Sequence, residues 1–509
     1  MSGRSGQARS GHQGRRPRQG TEQGRLHVTG EIAGVAGRGF GPQPALIDAG
    51  RQWSYTDLTQ AAVARARRLS QQGVKPGQVL VCRAEPGYGL LVLQQALAQI
   101  GAALLPVRPG LFEPAQAADL QALIHTTGAE WVWSEGDDGE GGGAPTGRNT
   151  ALPWQGDPLA VLIQTSGSSG TPKVAMLTRR AVLASCRRVN RRLGLGVGDQ
   201  WLCCLQPHHV GGLAIGYRCA LAGATLRLQP RLAQGFDADA VAAELQREPI
   251  THLSLVPPML ARLLAIGVRP PASLRVVQLG GQALSADLGR RALDAGWPVV
   301  VTYGMSETFS QVVTARYSPE QDPDAETPAR GFGADARLPD VELDAGRCGE
   351  APRPLRIRGP MLMSGYANPE RRPGIGLDGD WLTTTDLGCV DAAGRLRLLG
   401  RADDVLVIGG VKVLPAEVEA RLGTLPGIQA LALVGIPHTV WGQTLALCYA
   451  GRADPAAVED WCRARLPSVQ RPRLFVRCEA LPLLASGKLD RAALRALAMQ
   501  QMERGPTAL

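Results

Sequence analysis

Short apolar runs alternate with longer, periodically polar segments over most of the chain. Segments such as 56–72 and 238–247 repeat apolar residues at the spacing of an amphipathic helix. Between the helical segments lie short apolar runs that predict buried strands, at Val79 to Arg83, Leu104 to Val107, Trp131 to Trp133, Ala160 to Thr165, Leu253 to Val256, Val276 to Leu279 and Val299 to Thr302. Strands that alternate with helices favour a layered α/β fold with parallel strands.

Two changes in this pattern mark boundaries. Segment 135–150 contains Asp, Glu, Gly and Pro without periodicity, which predicts an exposed loop within a domain. A new βα pattern starts near Val405 and continues to the end of the chain. We therefore predict a large N-terminal domain over 28–402 and a small α+β C-terminal domain over 403–509.

The formal net charge of +10 does not by itself predict a nucleic-acid partner. Residues 1–27 contain six arginines and almost no apolar residues, so we predict a disordered, solvated Arg- and Gly-rich tail. The pair Arg15 and Arg16 lacks the apolar segment that follows an export signal. The rest of the composition, 44% hydrophobic and 20% charged, is typical of soluble globular proteins.

Neither the apolar runs nor the cysteines indicate a membrane or metal protein. The most apolar stretch, Leu90 to Val107, is interrupted by glutamines and a glycine and is too short to span a bilayer. The ten cysteines form no CxxC pair. We expect them to be buried, reduced thiols of a cytoplasmic protein.

A Gly- and Ser-rich segment from Thr165 to Lys173 directly follows the predicted strand at 160–165. Glycines let a backbone approach a phosphate, hydroxyls add hydrogen-bond donors, and Lys173 adds a positive charge. The spacing is not that of a Walker A loop. Taken alone, such a segment is more often a flexible loop, but its position after a buried strand favours a phosphate site.

Five motifs together resemble the adenylate-forming superfamily, which includes acyl-CoA synthetases, firefly luciferase and peptide-synthetase adenylation domains. They are Thr165 to Lys173, Tyr303 to Thr308, Trp381 to Asp386, Gly400 to Asp404 and Pro482 to Lys488, in the order of that family. The resemblance implies an α/β fold with a large multi-layer N-terminal domain and a small mobile α+β lid domain. It also implies ATP and coenzyme A as co-substrates, with Mg²⁺ as cofactor.

Roles for individual residues follow from the same resemblance. Lys488 would be the catalytic lysine, Glu307 the Mg²⁺ ligand, and Asp403 the hinge of the lid. Gly409 and Gly410 would border coenzyme A. ATP and AMP would contact Thr165, Ser166, Gly167, Ser168, Ser169, Gly170, Thr171, Lys173, Gly281, Tyr303, Gly304, Thr308, Asp386 and Arg401.

The acyl substrate is suggested by three further residues. His209 resembles the catalytic histidine that borders the acyl pocket in the family, and Arg218 follows nine residues later in an apolar helical stretch. This spacing, with Ser310 after the second motif, looks like the 2-succinylbenzoate-CoA ligases of menaquinone and phylloquinone synthesis. From the pattern alone, the favoured interpretation is that Arg218 extends to solvent or pairs with a structural carboxylate.

Two alternatives stay open at this point. One is an acyl-CoA synthetase for another aromatic or short-chain carboxylic acid, and the other is a non-catalytic regulator on a ligase fold. The expected partners are small molecules, namely a carboxylic acid, ATP and coenzyme A. We expect no nucleic acid and no stable membrane insertion, and a homo-oligomer stays open.

Lys488→Ala tests the resemblance directly. Its ammonium is needed while negative charge develops between the carboxylate and the α-phosphate, so adenylate formation should fall roughly 100-fold or more. Thioester formation from preformed acyl-adenylate should be largely intact. Pyrophosphate release and thioester formation are measured separately, with Lys75→Ala, which lies outside every motif, as control. Equal loss in both half-reactions would contradict the role of Lys488.

Overall fold

The structure is a computed structural model that describes residues 40–134, 142–146, 156–165, 173–318, 330–368, 371–422, 425, 427–483 and 489–503. Within these ranges, no helix combines the length and the apolar character needed to cross a bilayer. The predicted tail at 1–27 lies outside the described residues.

The strands fall into three successive groups along the chain. The first group is β1 (Pro44–Asp48), β2 (Arg51–Ser54), β3 (Val79–Arg83), β4 (Ala103–Val107), β5 (Trp131–Ser134), β6 (Gly142–Pro145), β7 (Leu159–Thr165), β8 (Lys173–Thr178), β9 (Gln200–Cys203), β10 (Thr225–Leu228), β11 (His252–Leu255), β12 (Val276–Leu279), β13 (Val299–Met305) and β14 (Ser310–Arg316). The second is β15 (Arg330–Phe332), β16 (Glu342–Asp344), β17 (Gly346–Arg347), β18 (Arg353–Arg358), β19 (Gly365–Tyr366), β20 (Leu382–Val390) and β21 (Leu396–Arg401). The third is β22 (Leu406–Ile408), β23 (Val411–Val413), β24 (Ile428–His438), β25 (Gly442–Gly451) and β26 (Leu474–Cys478).

The helices connect these strands in the manner of an α/β protein. Those of the N-terminal part are α1 (Tyr55–Gln72), α2 (Tyr88–Ile100), α3 (Ala117–Thr127), α4 (Arg179–Leu193), α5 (Val210–Ala222), α6 (Ala238–Arg247), α7 (Pro257–Ala265) and α8 (Ala286–Asp294). Those of the C-terminal part are α9 (Pro415–Leu422), α10 (Pro455–Arg465) and α11 (Arg491–Glu503). Every predicted strand and both named helices are confirmed, with end shifts of three residues or fewer.

Three large sheets lie in the N-terminal part: one of six strands, with the order β15-β21-β20-β18-β16 and β17 beside β20, and two with a parallel centre. Of these two, the first has the order β14-β13-β12-β11-β9-β10-β1-β2 and is parallel except at its two ends. The second has the order β19-β8-β7-β4-β3-β5-β6, with a parallel centre. Helix α4 contacts β7 and β8 of the second sheet and β14 of the first, so it lies between them. In α/β sheets of this kind, ligands bind at the edge formed by the carboxyl ends of the parallel strands.

Segment 135–150 is not entirely a loop, contrary to the sequence-based prediction. Gly142–Pro145 pairs antiparallel with Trp131–Ser134 and extends the second sheet. The residues lack strand propensity, but an edge strand needs only backbone hydrogen bonds to its neighbour. Gly143 also packs close to the Trp131 ring, since an added Cβ would lie 3.4 Å from it.

The C-terminal part has its own sheet and core. This sheet has the strand order β24-β25-β26, and α9, α10 and α11 pack against it. Strands β22 and β23 form a separate hairpin. Arg491 on α11 donates to Glu419 on α9 at 3.0 Å and lies 3.8 Å from Asp404. The prediction of a large α/β part followed by a small α+β part is confirmed, whereas the boundary at 402 and 403 stays a prediction.

The cysteine prediction is wrong for one pair. Cys348 and Cys389 form a disulfide, because β17 pairs with β20 and brings their Cα atoms to 5.0 Å. A separation of 41 residues gives no sign of this pairing in the sequence. Among the described free cysteines, all but Cys478 are buried, as expected.

A buried ion pair fastens the segment after β19 to the second sheet. Arg371 and Glu130 form two hydrogen bonds of 2.7 and 3.2 Å, and their side chains are only 7% and 3% exposed. Glu130 also accepts from the backbone N–H of Val79 at 2.7 Å. The pair thus ties the chain that follows Tyr366 to β3.

Replacing Arg371 by Met should lower the stability by roughly 3–5 kcal/mol, because Glu130 would keep a buried charge without its cation. The control is Arg180→Met, whose pair with Asp157 is exposed and should contribute less than about 1 kcal/mol. Thermal unfolding measures both variants. Equal stability of the two would contradict the importance of burial.

Candidate active site

The base of the Gly- and Ser-rich segment is a hairpin between β7 and β8. Thr165 and Lys173 are cross-strand partners, and the Thr165 hydroxyl donates to the Lys173 carbonyl at 3.3 Å. The predicted phosphate residues Ser166, Gly167, Ser168, Ser169, Gly170 and Thr171 lie outside the described residues. Lys173 is exposed and lies at the mouth of this hairpin.

The connection from β13 to β14 is a tight turn that carries the second motif. Gly304 is required here, because an added Cβ would lie 1.9 Å from the carbonyl oxygen of Ser310. Phe309 and Ser310 adopt φ angles of 46° and 91°, in the left-handed region that most residues avoid. The Ser185 hydroxyl donates to the Phe309 carbonyl at 2.8 Å and holds the turn against α4.

Thr308 serves this turn in the structure. Its side chain is buried, and its hydroxyl donates to the Ser310 carbonyl at 2.7 Å while accepting from the Met305 N–H at 3.2 Å. A contact of Thr308 with phosphate would require the turn to rearrange. The phosphate role therefore stays a prediction.

Glu307 projects from the same turn toward the hairpin between β7 and β8. Tyr366 on β19 donates its hydroxyl to Glu307 Oε1 at 2.8 Å. Burial and the Glu307 charge raise the pKa of Tyr366, so its hydroxyl stays protonated and remains a donor. Lys173 Nζ lies 5.1 Å from the centre of the Tyr366 ring.

This arrangement fits a magnesium ion beside ATP. Tyr366 orients one oxygen of Glu307, and the second oxygen is a hard ligand of the type that Mg²⁺ prefers. Within the described ranges, no group of three or more His, Cys, Asp and Glu side chains forms a metal site. One carboxylate is sufficient for an ion that takes most of its other ligands from phosphates and water.

Asp386 and Arg401 are direct cross-strand partners on β20 and β21. Tyr303 donates its hydroxyl to Asp386 Oδ2 at 2.7 Å, and Arg401 Nη1 lies 3.4 Å from Oδ1. Burial and the Asp386 carboxylate raise the pKa of Tyr303 well above its ordinary value, so it too stays a donor. The structure thus brings together Tyr303, Asp386 and Arg401, three of the residues predicted to contact the nucleotide.

Arg401 also reaches the predicted hinge. Its Nη2 donates to Asp403 Oδ2 at 3.0 Å. Partial burial disfavours the charge, but the hydrogen bond to Asp403 and the nearby carboxylates raise the pKa of Arg401. A hydrogen bond therefore joins Arg401, predicted at the nucleotide, to Asp403, predicted at the hinge.

Gly281 lies at the same sheet edge as Tyr303. Leu279 on β12 pairs with Val301 on β13, so Gly281 and Tyr303, each two residues further along, lie at the same level of the sheet. Gly281 has a φ of 77°, which favours glycine. Its position is consistent with the predicted nucleotide contact.

His209 caps the N-terminus of α5, beside His208. The two rings are 4.2 Å apart. Burial, followed by the effects of His209 and Arg108, lowers the pKa of His208 to about 4, so His208 is neutral at pH 7. Gly212 is required next to them, because an added Cβ would lie 2.4 Å from two backbone oxygens.

Arg218 lies on α5 and is fully buried. It does not extend to solvent, and it pairs with no carboxylate of the described residues, which disfavours both structural alternatives weighed from the sequence. Its Nη1 lies 3.4 Å from Gln278 Oε1, and its Cζ lies 5.7 Å from the centre of the Trp201 ring. No described contact joins Arg218 to His209, which is two and a half helical turns away.

Gly409 and Gly410 form the turn between β22 and β23. Their φ angles of 55° and 84° are those of a two-residue hairpin turn with both residues left-handed. Space around Gly410 is open, so hairpin geometry already accounts for the glycines without a ligand. The coenzyme A role stays a prediction, and Lys488 lies outside the described residues.

The comparisons with known proteins identify the family of the chain. The sequence model of the AMP-binding enzyme family matches residues 35–367, and that of the AMP-binding enzyme C-terminal domain matches residues 417–488. The chain belongs to the AMP-binding enzyme family. The resemblance to adenylate-forming enzymes is thereby confirmed.

Similar proteins narrow the class further. The chain is 30% identical to a 2-succinylbenzoate-CoA ligase of Geobacillus kaustophilus over 476 residues, covering 89% of this chain and 94% of the relative. It is 32% identical to the Bacillus licheniformis ligase of the same name over 339 residues, covering 66% and 69%. Its fold matches the Bacillus subtilis o-succinylbenzoate CoA synthetase in complex with the acyl-adenylate OSB-AMP, with a TM-score of 0.76, 25% identity and coverage of 91% and 98%.

Sequence reasoning missed several residues of the site. Tyr366 and His208 belong to it by contact, and so does Gln278 as the partner of Arg218. No local signal marked Tyr366, because Gly-Tyr pairs also occur at 87–88 and 216–217. Gln278 sits in an otherwise apolar strand, and a polar residue there was the available signal.

Tyr366→Phe should leave the Glu307 carboxylate less firmly oriented. The ring would still face Lys173, but the hydrogen bond to a charged carboxylate would be lost. We expect roughly tenfold more Mg²⁺ to be needed for half-maximal adenylation. Titration of Mg²⁺ in pyrophosphate release, and of Mg²⁺ with ATP in thermal protection, measures this.

The matched control is Tyr88→Phe, since the Tyr88 hydroxyl reaches only the Asp57 carbonyl at 3.4 Å. An unchanged Mg²⁺ requirement in Tyr366→Phe would show that Glu307 does not need this hydrogen bond.

Proposed function

We propose that the protein catalyses ATP-dependent ligation of 2-succinylbenzoate to coenzyme A through an acyl-adenylate. In the first half-reaction, a carboxylate oxygen attacks the α-phosphorus of ATP, a new P–O bond forms, and pyrophosphate leaves. In the second, the sulfur of coenzyme A attacks the acyl carbon, and AMP leaves with the former carboxylate oxygen. The thioester belongs to menaquinone or phylloquinone synthesis.

The described residues divide the work of the first half-reaction. Asp386, oriented by Tyr303 and Arg401, binds the ribose and fixes the nucleotide. Lys173 and the hairpin loop bind phosphate oxygens. Glu307 is the residue that would hold Mg²⁺, which supplies charge neutralisation at the phosphates when bound.

The second half-reaction needs a different face of the C-terminal domain. We assign the hinge to Asp403, whose carboxylate is bonded to Arg401 at the nucleotide. Release of this bond would let the domain rotate and bring the turn at Gly409 and Gly410 toward the acyl-adenylate. Lys488 would serve the first half-reaction, and His209 would border the acyl group.

The observation that carries the substrate assignment is the buried guanidinium of Arg218. Its Nε and Nη2 atoms are buried and make no hydrogen bond within the described structure. Burial lowers the pKa of Arg218 to about 10, which still leaves it charged at pH 7. A dicarboxylate substrate supplies the missing anion, since one carboxylate reacts and the other can bind the guanidinium in a bidentate manner.

A monocarboxylic acid would leave this cation unpaired, which disfavours a ligase for simple aromatic or short-chain acids. A non-catalytic regulator is disfavoured because Tyr303, Asp386 and Arg401 form an intact ribose site. The substrates ATP and coenzyme A favour the cytoplasm as the compartment.

Arg218→Ala tests the substrate. Loss of the main partner of the distal carboxylate should cost about 2–4 kcal/mol in transition-state binding. That corresponds to a decrease of roughly 30- to 1,000-fold in kcat/KM for 2-succinylbenzoate, with little change in KM for ATP. Arg218→Lys should retain part of the activity, because the charge remains but the planar fork is lost.

The matched control is Arg227→Ala, which removes a buried arginine already paired with Glu244 and Glu248 at 2.9 and 2.6 Å. It should lower the melting temperature and leave the selectivity among acids unchanged. A folded Arg218→Ala enzyme with near-normal kcat/KM for 2-succinylbenzoate would overturn the substrate assignment.

A further inference from the structure

Buried arginines in this protein fall into two groups. Arg227 and Arg371 each pair with carboxylates at hydrogen-bonding distance. Arg218 and Arg179 do not, within the described structure. The Arg179 N–H donates to the Pro158 carbonyl, at the end of the β7–β8 hairpin opposite to Thr165 and Lys173. Arg179 is therefore remote from the predicted phosphate segment. Arg218 is therefore the one whose surroundings bear on the acyl substrate.

The neighbour of Arg218 is a neutral amide that two other side chains hold in place. Gln278 Oε1 lies 3.4 Å from Arg218 Nη1 and accepts from Gln311 Nε2 at 3.1 Å. Gln311 Oε1 in turn accepts from the Thr314 hydroxyl at 2.7 Å. Gln278, Gln311 and Thr314 are all buried, so these bonds do not compete with bulk water.

The direction of this chain of hydrogen bonds follows from Arg218. A guanidinium only donates, so Gln278 must present its oxygen to it. Gln311 must then present its NH₂ group to the same oxygen, and its own oxygen is left to accept from Thr314. Every amide in the chain consequently has one satisfactory orientation.

A β-bulge makes this chain geometrically feasible. Tyr303 pairs with Val313 and Gly304 with Gln311, so Val312 is an extra residue in β14. Without the extra residue, Gln311 and Thr314 would point to opposite faces of the strand, because side chains alternate. The bulge turns Gln311 to the face of Thr314.

An amide at position 278 has a different consequence from a carboxylate. A carboxylate would neutralise Arg218, as Glu244 and Glu248 neutralise Arg227. The Gln278 oxygen orients the guanidinium and leaves its positive charge uncompensated. Burial of that charge disfavours it, as the lowered pKa of Arg218 indicates.

We propose that Gln278, held by Gln311 and Thr314, is a positioning residue that keeps Arg218 oriented and electrostatically unpaired for the distal carboxylate of the acid substrate. This inference rests on the proposed function. It assigns the selectivity for dicarboxylates to the neutrality of residue 278 as well as to the charge of Arg218.

The test compares Gln278→Glu with Gln278→Met. Gln278→Glu supplies Arg218 with an internal partner, so KM for 2-succinylbenzoate should rise at least 30-fold while the melting temperature is unchanged or higher. Gln278→Met removes the acceptor but adds no charge, so KM should rise only about three- to tenfold. KM for ATP should be unchanged in both variants.

A purely structural role predicts the opposite order, because glutamate keeps the shape and the acceptor oxygen of glutamine whereas methionine does not. The substrate analogue that lacks the distal carboxylate adds a second readout. Its kcat/KM should be equal or higher in Gln278→Glu than in the unmodified enzyme, because it has no anion to be excluded.

The matched control is Gln200→Glu. Gln200 Oε1 accepts from Arg227 Nε at 3.1 Å, so the same change is made beside a buried arginine that already has two carboxylates. It should leave KM for the acid unchanged. If Gln278→Glu does not fold, Gln311→Met replaces it, since loss of its NH₂ group frees Gln278 to rotate and should raise KM for the acid several-fold.

The outcomes separate this inference from the proposed function. Failure of the unmodified enzyme to use 2-succinylbenzoate, or full activity of Arg218→Ala, overturns the proposed function. If the enzyme uses the acid and Arg218→Ala is impaired, but Gln278→Glu behaves like Gln200→Glu or is milder than Gln278→Met, the role of Gln278 is overturned.

Discussion

The close approach of two backbone segments at Gly304 is the constraint on which the site depends. Only a residue without Cβ lets β13 pass the Ser310 carbonyl, and the left-handed residues Phe309 and Ser310 close the turn. The turn aims Glu307 at the phosphate hairpin, while Tyr303 at its start reaches Asp386. Strained backbone of this kind persists where the surrounding structure determines it, and it is common at functional sites.

The same turn connects residues predicted to contact the nucleotide with residues proposed to recognise the acid. One arm of the β13–β14 hairpin carries Tyr303, and the other carries Gln311, which holds the partner of Arg218. The bulge at Val312 lies next to the turn, since the register changes between Tyr303 and Gly304. A substitution that relaxed the turn would therefore disturb both the Tyr303–Asp386 and the Gln311–Gln278 hydrogen bonds.

Charge pairing distinguishes Arg218 from Arg227 and Arg371 in this fold. Arg227 and Arg371 are neutralised by glutamates, and removing either partner would leave a buried charge. Arg218 is neutralised by no described carboxylate. Leaving a cation in this state lowers stability, which is consistent with a binding site that a substrate anion completes.

Sequence alone determined the fold class, the strands with strong apolar patterns and the order of the motifs, because these depend on local periodicity and on residue types at short spacing. It also identified Asp386, Arg401, Glu307 and Arg218 as functional candidates. It could not indicate the strand at Gly142–Pro145, whose residues lack strand propensity, or the disulfide of Cys348 with Cys389, which arises from pairing with a distant strand. The partners Tyr366 for Glu307 and Gln278 for Arg218 lie about sixty residues away along the chain, and only the tertiary structure decided them, because side-chain contacts between elements far apart in the chain leave no periodic signal.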